Sequence, residues 1–400
     1  MGEQPLTVLL ISPVESLDPA SGDVTYTKEL LATPPPAVRY VTYDVAMERG
    51  WLRERGARSY IAETTGPRRV SGLVGAAARK ANVRTRALGF AYRETVRHFE
   101  VEPGRFDLVH LHVFHARFHG AGPAVVGSSA GPLQWVYGDA WHWSRGRICT
   151  AEGVDRVAGL LADATMCSVR LGRARRLIAF SDYQRNWMMG ERGLPGSRID
   201  VVPNYVKDPQ SSSATAADRG NRPTSFGMIA KDFEAKGGTS VLRAFTRLKE
   251  RHPQITLHLV GSEPRMSAQD ARVLGITWTK WLPREDLLTR LLPTIDVMLH
   301  PSRFDGFPYG PMEALAFGVP VITSNYRALP ELAANGAGLV VPVDDDVELE
   351  QRMEQLLEPA RWRQASRAAR AHFLREFDSA SQSVKLGESY RRALAPSLTH

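Results

Sequence analysis

The stretch Asp305-Gly306-Phe307-Pro308-Tyr309-Gly310-Pro311-Met312-Glu313-Ala314-Leu315-Ala316-Phe317-Gly318-Val319-Pro320 constrains this chain more than any other part of it. Its first residues are rich in glycine and proline and read as a turn, and Gly310 to Phe317 reads as a helix that Gly318 ends. The apolar run Val319-Pro320-Val321-Ile322-Thr323 then reads as a buried parallel strand. The unit is a strand, loop, helix and strand, the repeating element of an α/β sheet. Two acids, Asp305 and Glu313, bracket the turn.

Such a turn leaves backbone N–H groups pointing outward, and the helix start adds unsatisfied amides and a positive dipole end. A diphosphate suits that end. Glu313, one short turn into the helix, is placed to accept hydrogen bonds from a ribose diol, and Asp305, before the turn, to hold hydroxyls of a sugar. Both acids then bind rather than transfer protons, and the ligand expected is a sugar-nucleotide. The same residues also read as a plain buried helix with acids in its first turn, where carboxylates are favoured in any case.

Four hundred residues exceed one ordinary domain, so two of similar size are expected. With 43% hydrophobic and 24% charged residues the composition is that of a soluble globular protein, and no apolar run approaches the roughly 18 residues of a membrane span. The amino-terminal residues lack the basic region of a signal peptide, which places the expectation in the cytoplasm. Cys149 and Cys167 make neither a disulfide framework nor a metal site. The net charge of +8 is concentrated between Trp51 and His98, where eleven Lys and Arg face three Glu. Within that segment Ser71 to Phe99 reads as a helix, with Leu88, Tyr92, Val96 and Phe99 on one side and Arg79, Arg86, Arg93 and Arg97 on another. A basic amphipathic helix of this kind suits peripheral contact with an anionic membrane at its inner face; a solvated basic surface is the alternative. No interleaved aromatics or binding motif points to nucleic acid.

Thr7 to Ser12 reads as a first buried strand, and a Ser-, Asp-, Pro- and Gly-rich loop leads to a helix from Gly22. Further strands are expected at Val38–Tyr43, Leu108–Val113, Leu133–Tyr137 and Leu177–Phe180. No G-x-G-x-x-G is present, so a dinucleotide is not indicated. The small polar segment Asp208 to Thr215 has the composition of a linker. A second alternation follows, with strands at Ser225–Ile229, Thr256–Gly261, Val297–His300 and Val319–Thr323, and helices at Thr239–Arg251 and Gly310–Phe317. Residues from Leu349 to Ala395 are helical by composition. The fold class is α/β, two doubly wound halves with the ligand expected in the cleft between them, at the carboxyl ends of the strands.

Several of these segments resemble, in order, those of the retaining glycosyltransferases of family 4. The acid pair is similar to the family's E-x7-E signature, with Asp305 in place of the usual first Glu and Glu313 matching the second. Ser21-Gly22 resembles the family's glycine loop, and Asp107-Leu108-Val109-His110-Leu111-His112 its D-x-x-H-x-H strand. Ile178-Ala179-Phe180-Ser181 and Val201-Val202-Pro203-Asn204 resemble its landmarks before the interdomain linker. Lys236-Gly237 resembles the K-G of its phosphate loop, and Leu259-Val260-Gly261 its I-V-G strand. The resemblance implies a GT-B fold of two Rossmann-like domains, residues 1–204 and 205–379, with a carboxy-terminal helix, about 380–400, returning to the first. It also implies a metal-independent retaining transfer of a sugar from a nucleoside-diphosphate sugar to a hydroxyl acceptor, with no separate cofactor. Lys236, and secondarily Lys231, would carry the charge of the diphosphate. Gly306 and Phe307 would offer amides to the sugar, and Gly22 would let backbone approach the phosphate or acceptor.

Two departures from the family pattern stand out. Met228 follows Gly227 where an arginine is usual, and Gly138, in Trp135-Val136-Tyr137-Gly138-Asp139-Ala140-Trp141, stands where the family's active-site histidine would be. His142 lies close by and is the candidate substitute; His112 and His115 are others. These departures motivate an alternative, a non-catalytic paralogue that binds a nucleotide or a partner transferase. His110 and His112 share a strand face, yet no carboxylate or cysteine stands nearby at ligand spacing, so no metal site is expected. Asp344-Asp345-Asp346 is expected to cap a late helix rather than bind metal.

Overall fold

The computed structural model describes residues 4–12, 22–54, 93–95, 97–112, 116–119, 124–128, 164–166, 174–192, 194–210, 216–219, 223–264 and 266–395. They form two compact units: Met1–Phe180, Gln184–Val202 and Ser383–His400 make the first, and Ser181–Tyr183 with Pro203–Gln382 the second.

In the first unit the strands are β1 (Leu6–Ile11), β2 (Val38–Thr42), β3 (Leu52–Glu54), β4 (Arg93–Thr95), β5 (Arg97–Val101), β6 (Leu108–His112), β7 (Ala116–His119), β8 (Ala124–Ser128), β9 (Ala164–Met166), β10 (Arg176–Ala179) and β11 (Ile199–Val201). Six of them make a sheet in the order β11-β10-β8-β6-β1-β2, and every pair is parallel. All five residues of β6 are buried, as the central strand of a sheet covered on both faces requires. Helices α1 (Gly22–Ala32), α2 (Tyr43–Glu48) and α3 (Asp182–Arg192) follow β1, β2 and β10.

The second unit repeats the plan with β12 (Ser225–Ala230), β13 (Thr256–Gly261), β14 (Ile276–Thr279), β15 (Val297–His300), β16 (Val321–Ser324) and β17 (Gly338–Val341). The order β14-β13-β12-β15-β16-β17 is all parallel. It is the Rossmann order, and its reversal point lies between β12 and β15, where ligands of such sheets bind beyond the strand ends. The helices are α4 (Gly238–Arg251), α5 (Ala268–Leu274), α6 (Tyr309–Ala316), α7 (Asp346–Gln355) and α8 (Pro359–Glu376). α4 shows how sequence sets packing: Val241, Ala244, Phe245 and Leu248 recur at helical spacing and are all buried. Asp345 caps α7 by accepting a hydrogen bond from the Glu348 amide at 2.9 Å.

The last helix, α9 (Ser379–Leu394), returns to the first unit from Ser383 onward. Tyr390 anchors it. Its hydroxyl lies 2.5 Å from His110 Nδ1 and 2.8 Å from Tyr40 Oη. Ser128 Oγ, on β8, lies 2.8 Å from His110 Nε2 and 2.9 Å from His112 Nδ1. These buried polar groups satisfy one another, which burial demands.

The basic segment differs from its expected form. A helix from Ser71 to Phe99 does not extend to its expected end, because 93–95 and 97–101 are strands. Phe99 is fully buried in the core with Leu52, Tyr43 and Val109, and Glu54 pairs with it across an antiparallel register. Sequence alternation beyond Arg97 has period two, so burying Phe99 and Val101 from one strand face outweighs the helical pattern. Residues 55–92 lie outside the described residues, as do the expected strand Leu133–Tyr137 and both cysteines. Among the described residues no helix is long and apolar enough to cross a membrane.

Burial, and then the neighbouring His112, push the His110 pKa down from 6.5 to about 3. Between those values the unfolded chain holds a proton that the folded one does not, so stability is lost as pH falls through 6.5 toward about 3. The variant His110→Asn is expected to flatten the decline in urea midpoint between about pH 7 and about pH 4. A slope equal to that of the parent would mean that His110 is not held neutral.

Candidate functional site

Two loops leave the carboxyl ends of β12 and β15, on either side of the reversal point. The first runs from Lys231 to Gly237 and turns directly into α4. Its backbone closes on itself: the amide of Lys236 donates to Asp232 O at 3.0 Å, and that of Gly238 to Phe233 O at 2.7 Å. Gly237 has φ +79°, and a Cβ there would sit 2.3 Å from Pro301 O. Both facts require glycine. The second loop lies against the first, with the Arg303 amide donating to Ala235 O at 2.9 Å and Ser302 Oγ 3.1 Å from the same oxygen.

This close approach brings Lys236 to Asp305. Lys236 Nζ donates to Asp305 Oδ2 at 2.5 Å and to Phe304 O at 3.2 Å. His300, the last residue of β15, places Nε2 2.8 Å from the same Oδ2. Burial opposes the charge on Asp305, but the His300 hydrogen bond and the nearby Lys236 ammonium outweigh it and bring the carboxyl down to about 2. Asp305 is thus a carboxylate at any working pH.

Past Asp305 the chain makes the turn read from the sequence. Asn204 Nδ2 donates to Phe307 O at 2.8 Å, and the Phe307 ring is buried 5.7 Å from Phe377. α6 starts at Tyr309 with Pro308 as its N-cap, and α4 with Gly237, so no side chain caps either helix. Every residue from Pro311 to Ala316 is buried, Glu313 among them. A carboxylate in that apolar helix needs a counter-charge, and Arg284 supplies it, its Nε donating to Glu313 Oε1 at 2.6 Å.

The structure therefore gathers Lys236, Asp305, Gly306, Phe307 and Glu313 on the two loops and helix starts of the second unit. Lys231 lies at the end of β12, exposed, with its carbonyl accepting from Ser262 Oγ. Gly22 is the first residue of α1 in the first unit. His112 is buried against Tyr26, with ring centroids 4.2 Å apart. His142, His115 and Gly138 lie outside the described residues. Met228 is buried in β12, and Gly227 is needed for packing, since a Cβ there would meet Ile295 Cδ1 at 2.2 Å. Beside Lys236, two residues that the sequence reading did not single out, His300 and Arg284, are side-chain partners of the acids. Among the described residues no three His, Cys, Asp or Glu side chains converge as a metal site.

Residues 224–359 match the family model of Glycosyl transferases group 1. The matched segment contains both loops, α6 and every side chain of the acid–cation pairs. Over 257 residues the chain is 26% identical to the putative glycosyltransferase EpsF of Bacillus subtilis strain 168, covering 61% of this chain and 64% of EpsF. The chain spans less than two thirds of the length of the curated relatives it matches. Similar solved structures include sucrose-phosphate synthase from Thermosynechococcus elongatus, with a TM-score of 0.59 at 17% identity over 96% of this chain and 98% of that one. Another is Anabaena Alr3699/HepE in complex with UDP-glucose, with a TM-score of 0.57 at 14% identity over 96% and 99%. The fold is GT-B, as the sequence resemblance implied.

In the matched segment the Arg284–Glu313 pair has a testable energetic consequence. Arg284→Ala leaves a buried carboxylate without its guanidinium and is expected to cost about 1–3 kcal/mol of stability. Adding Glu313→Gln, which removes the charge, is expected to restore most of the loss in chemical denaturation. No recovery in the double variant would show that Arg284 stabilises the unit through other contacts.

Proposed function

We propose that this chain transfers a sugar from a nucleoside-diphosphate sugar to a hydroxyl acceptor, with retention at the anomeric carbon and without a metal. The observation that carries the reading is Asp305 and Lys236, paired at 2.5 Å, beside two helix starts that no side chain caps. The group 1 match over the same residues supports it.

On this reading Glu313 accepts from the ribose diol, Asp305 and the amides of Gly306 and Phe307 hold the sugar, and Lys236 meets the diphosphate. Cleavage of the bond from the anomeric carbon to the diphosphate oxygen leaves its electron pair, and so negative charge, on the diphosphate, while the acceptor's hydroxyl oxygen bonds to that carbon and gives up its proton to the departing diphosphate. Lys236 and the positive ends of α4 and α6 stabilise that charge as it develops. Lys231 and Gly22 are further candidates for contact with the phosphates, and His142 for the acceptor side.

Incubation with UDP-, GDP-, ADP- and dTDP-sugars is the direct test, with slow donor hydrolysis expected for at least one. Lys236→Ala is expected to lower kcat by about 10²–10³, and Glu313→Ala to weaken nucleotide binding by about 1–3 kcal/mol. Proton NMR of a transfer product should show the donor's anomeric configuration. Tight nucleotide binding with no turnover of any donor would instead support the non-catalytic alternative, and unchanged affinity in Glu313→Ala would overturn the ribose assignment.

A further inference from the structure

The proposed function assigns no role to His300, yet this imidazole is the most buried group bonded to Asp305. Its side chain is 4% exposed against 13% for the carboxylate. It closes β15, whose four residues are all buried, so its backbone is fixed by the parallel pairing of His300 with Thr323 on β16. Lys236, by contrast, ends a flexible side chain on a loop. The two reach the same atom: His300 Nε2 at 2.8 Å and Lys236 Nζ at 2.5 Å are both on Oδ2. Among the described residues no hydrogen bond is made to Oδ1. Two donors on one oxygen fix the rotation of a carboxylate about its terminal bond, a freedom otherwise broad. The second oxygen is then held in one direction, with its acceptor capacity unused by the described residues.

We propose that His300 is a positioning residue: with Lys236 it pins Oδ2 of Asp305 and thereby presents Oδ1 to a hydroxyl of the donor's sugar. The inference rests on the donor reading above and adds to it the atom that recognises the sugar and the group that aims it. An aspartate is short, so its aim is set by what holds it and not by its own reach.

The test uses the full chain and whichever donor of the UDP-, GDP-, ADP- and dTDP-sugar panel the parent hydrolyses fastest, with the matching nucleoside diphosphate as control. His300→Leu and His300→Asn both withdraw the Nε2 donor, and His300→Gln returns an amide donor near its place. In folded Leu or Asn variants, donor turnover is expected to fall about tenfold or more while affinity for the nucleoside diphosphate stays within about twofold. His300→Gln is expected to recover most of the turnover. In an Asp305→Ala background, His300→Leu is expected to add less than about twofold, because its effect passes through the carboxylate. Parent-like turnover in His300→Leu, an equal loss of nucleoside diphosphate affinity, or a full additional loss in the Asp305→Ala background would each overturn the inference. A parent that turns over no donor overturns the proposed function, and this inference with it; parent turnover that is indifferent to His300 overturns this inference alone.

Discussion

The contact between Lys236 and Asp305 is the constraint around which the second unit's loops are built. It spans the loops that follow β12 and β15, the two neighbouring strands at which the sheet order reverses. Bringing an ammonium and a carboxylate together there requires the backbones to approach closely, and the Gly237 position against Pro301 O permits it. The Arg303 amide and Ser302 hydroxyl then stitch the loops through Ala235 O. Charge pairing, backbone bonding and one left-handed glycine act together, so none can be changed without disturbing the others.

The elements legible in the sequence were those whose signal is local. Thr256–Gly261 and Val297–His300 are strands at the residues where apolar runs placed them, and α4 and α6 begin one residue earlier than read. β8, β14 and β17 were not read. They are four or five residues long, and Gly127, Thr277, Thr279 and Gly338 dilute their apolar pattern. Their strand character comes from neighbours already in the sheet. The same holds at the site. Asp305 and Glu313 were legible because chain spacing puts them around one turn. Arg284 meets Glu313 from 29 positions away, a separation that no local pattern encodes. His300 is only five positions from Asp305, yet within an apolar strand it reads as a core residue.

In the first unit the polar network around Tyr390 shows a different economy. His110 and His112 look in sequence like paired ligands, but each ring contacts Ser128 and one of them contacts the terminal helix. A buried imidazole with both nitrogens engaged fixes its ring orientation, and a His110 ring held neutral by burial avoids the cost of burying charge. The network thus specifies where α9 lands on the sheet, a choice that apolar packing of Leu386 and Ala393 alone leaves less sharply defined.

The paired site raises a question of charge, because Lys236 and Asp305 neutralise each other and Arg284 and Glu313 do likewise. An anion arriving at these loops meets little net charge from the four side chains. An ammonium, however, has three donors, and Lys236 directs them toward Asp305 Oδ2 and Phe304 O with one remaining. On the proposed reading, the ion pair persists while the third N–H meets a phosphate oxygen. The remaining attraction falls to the starts of α4 and α6, whose amides carry partial positive charge and which no side chain caps. Such a site draws on fixed dipoles more than on mobile charges. Dipoles held by backbone need no reorganisation when charge develops on a bound group, as the proposed reading has it develop on the diphosphate, and that is the condition under which they lower a barrier most.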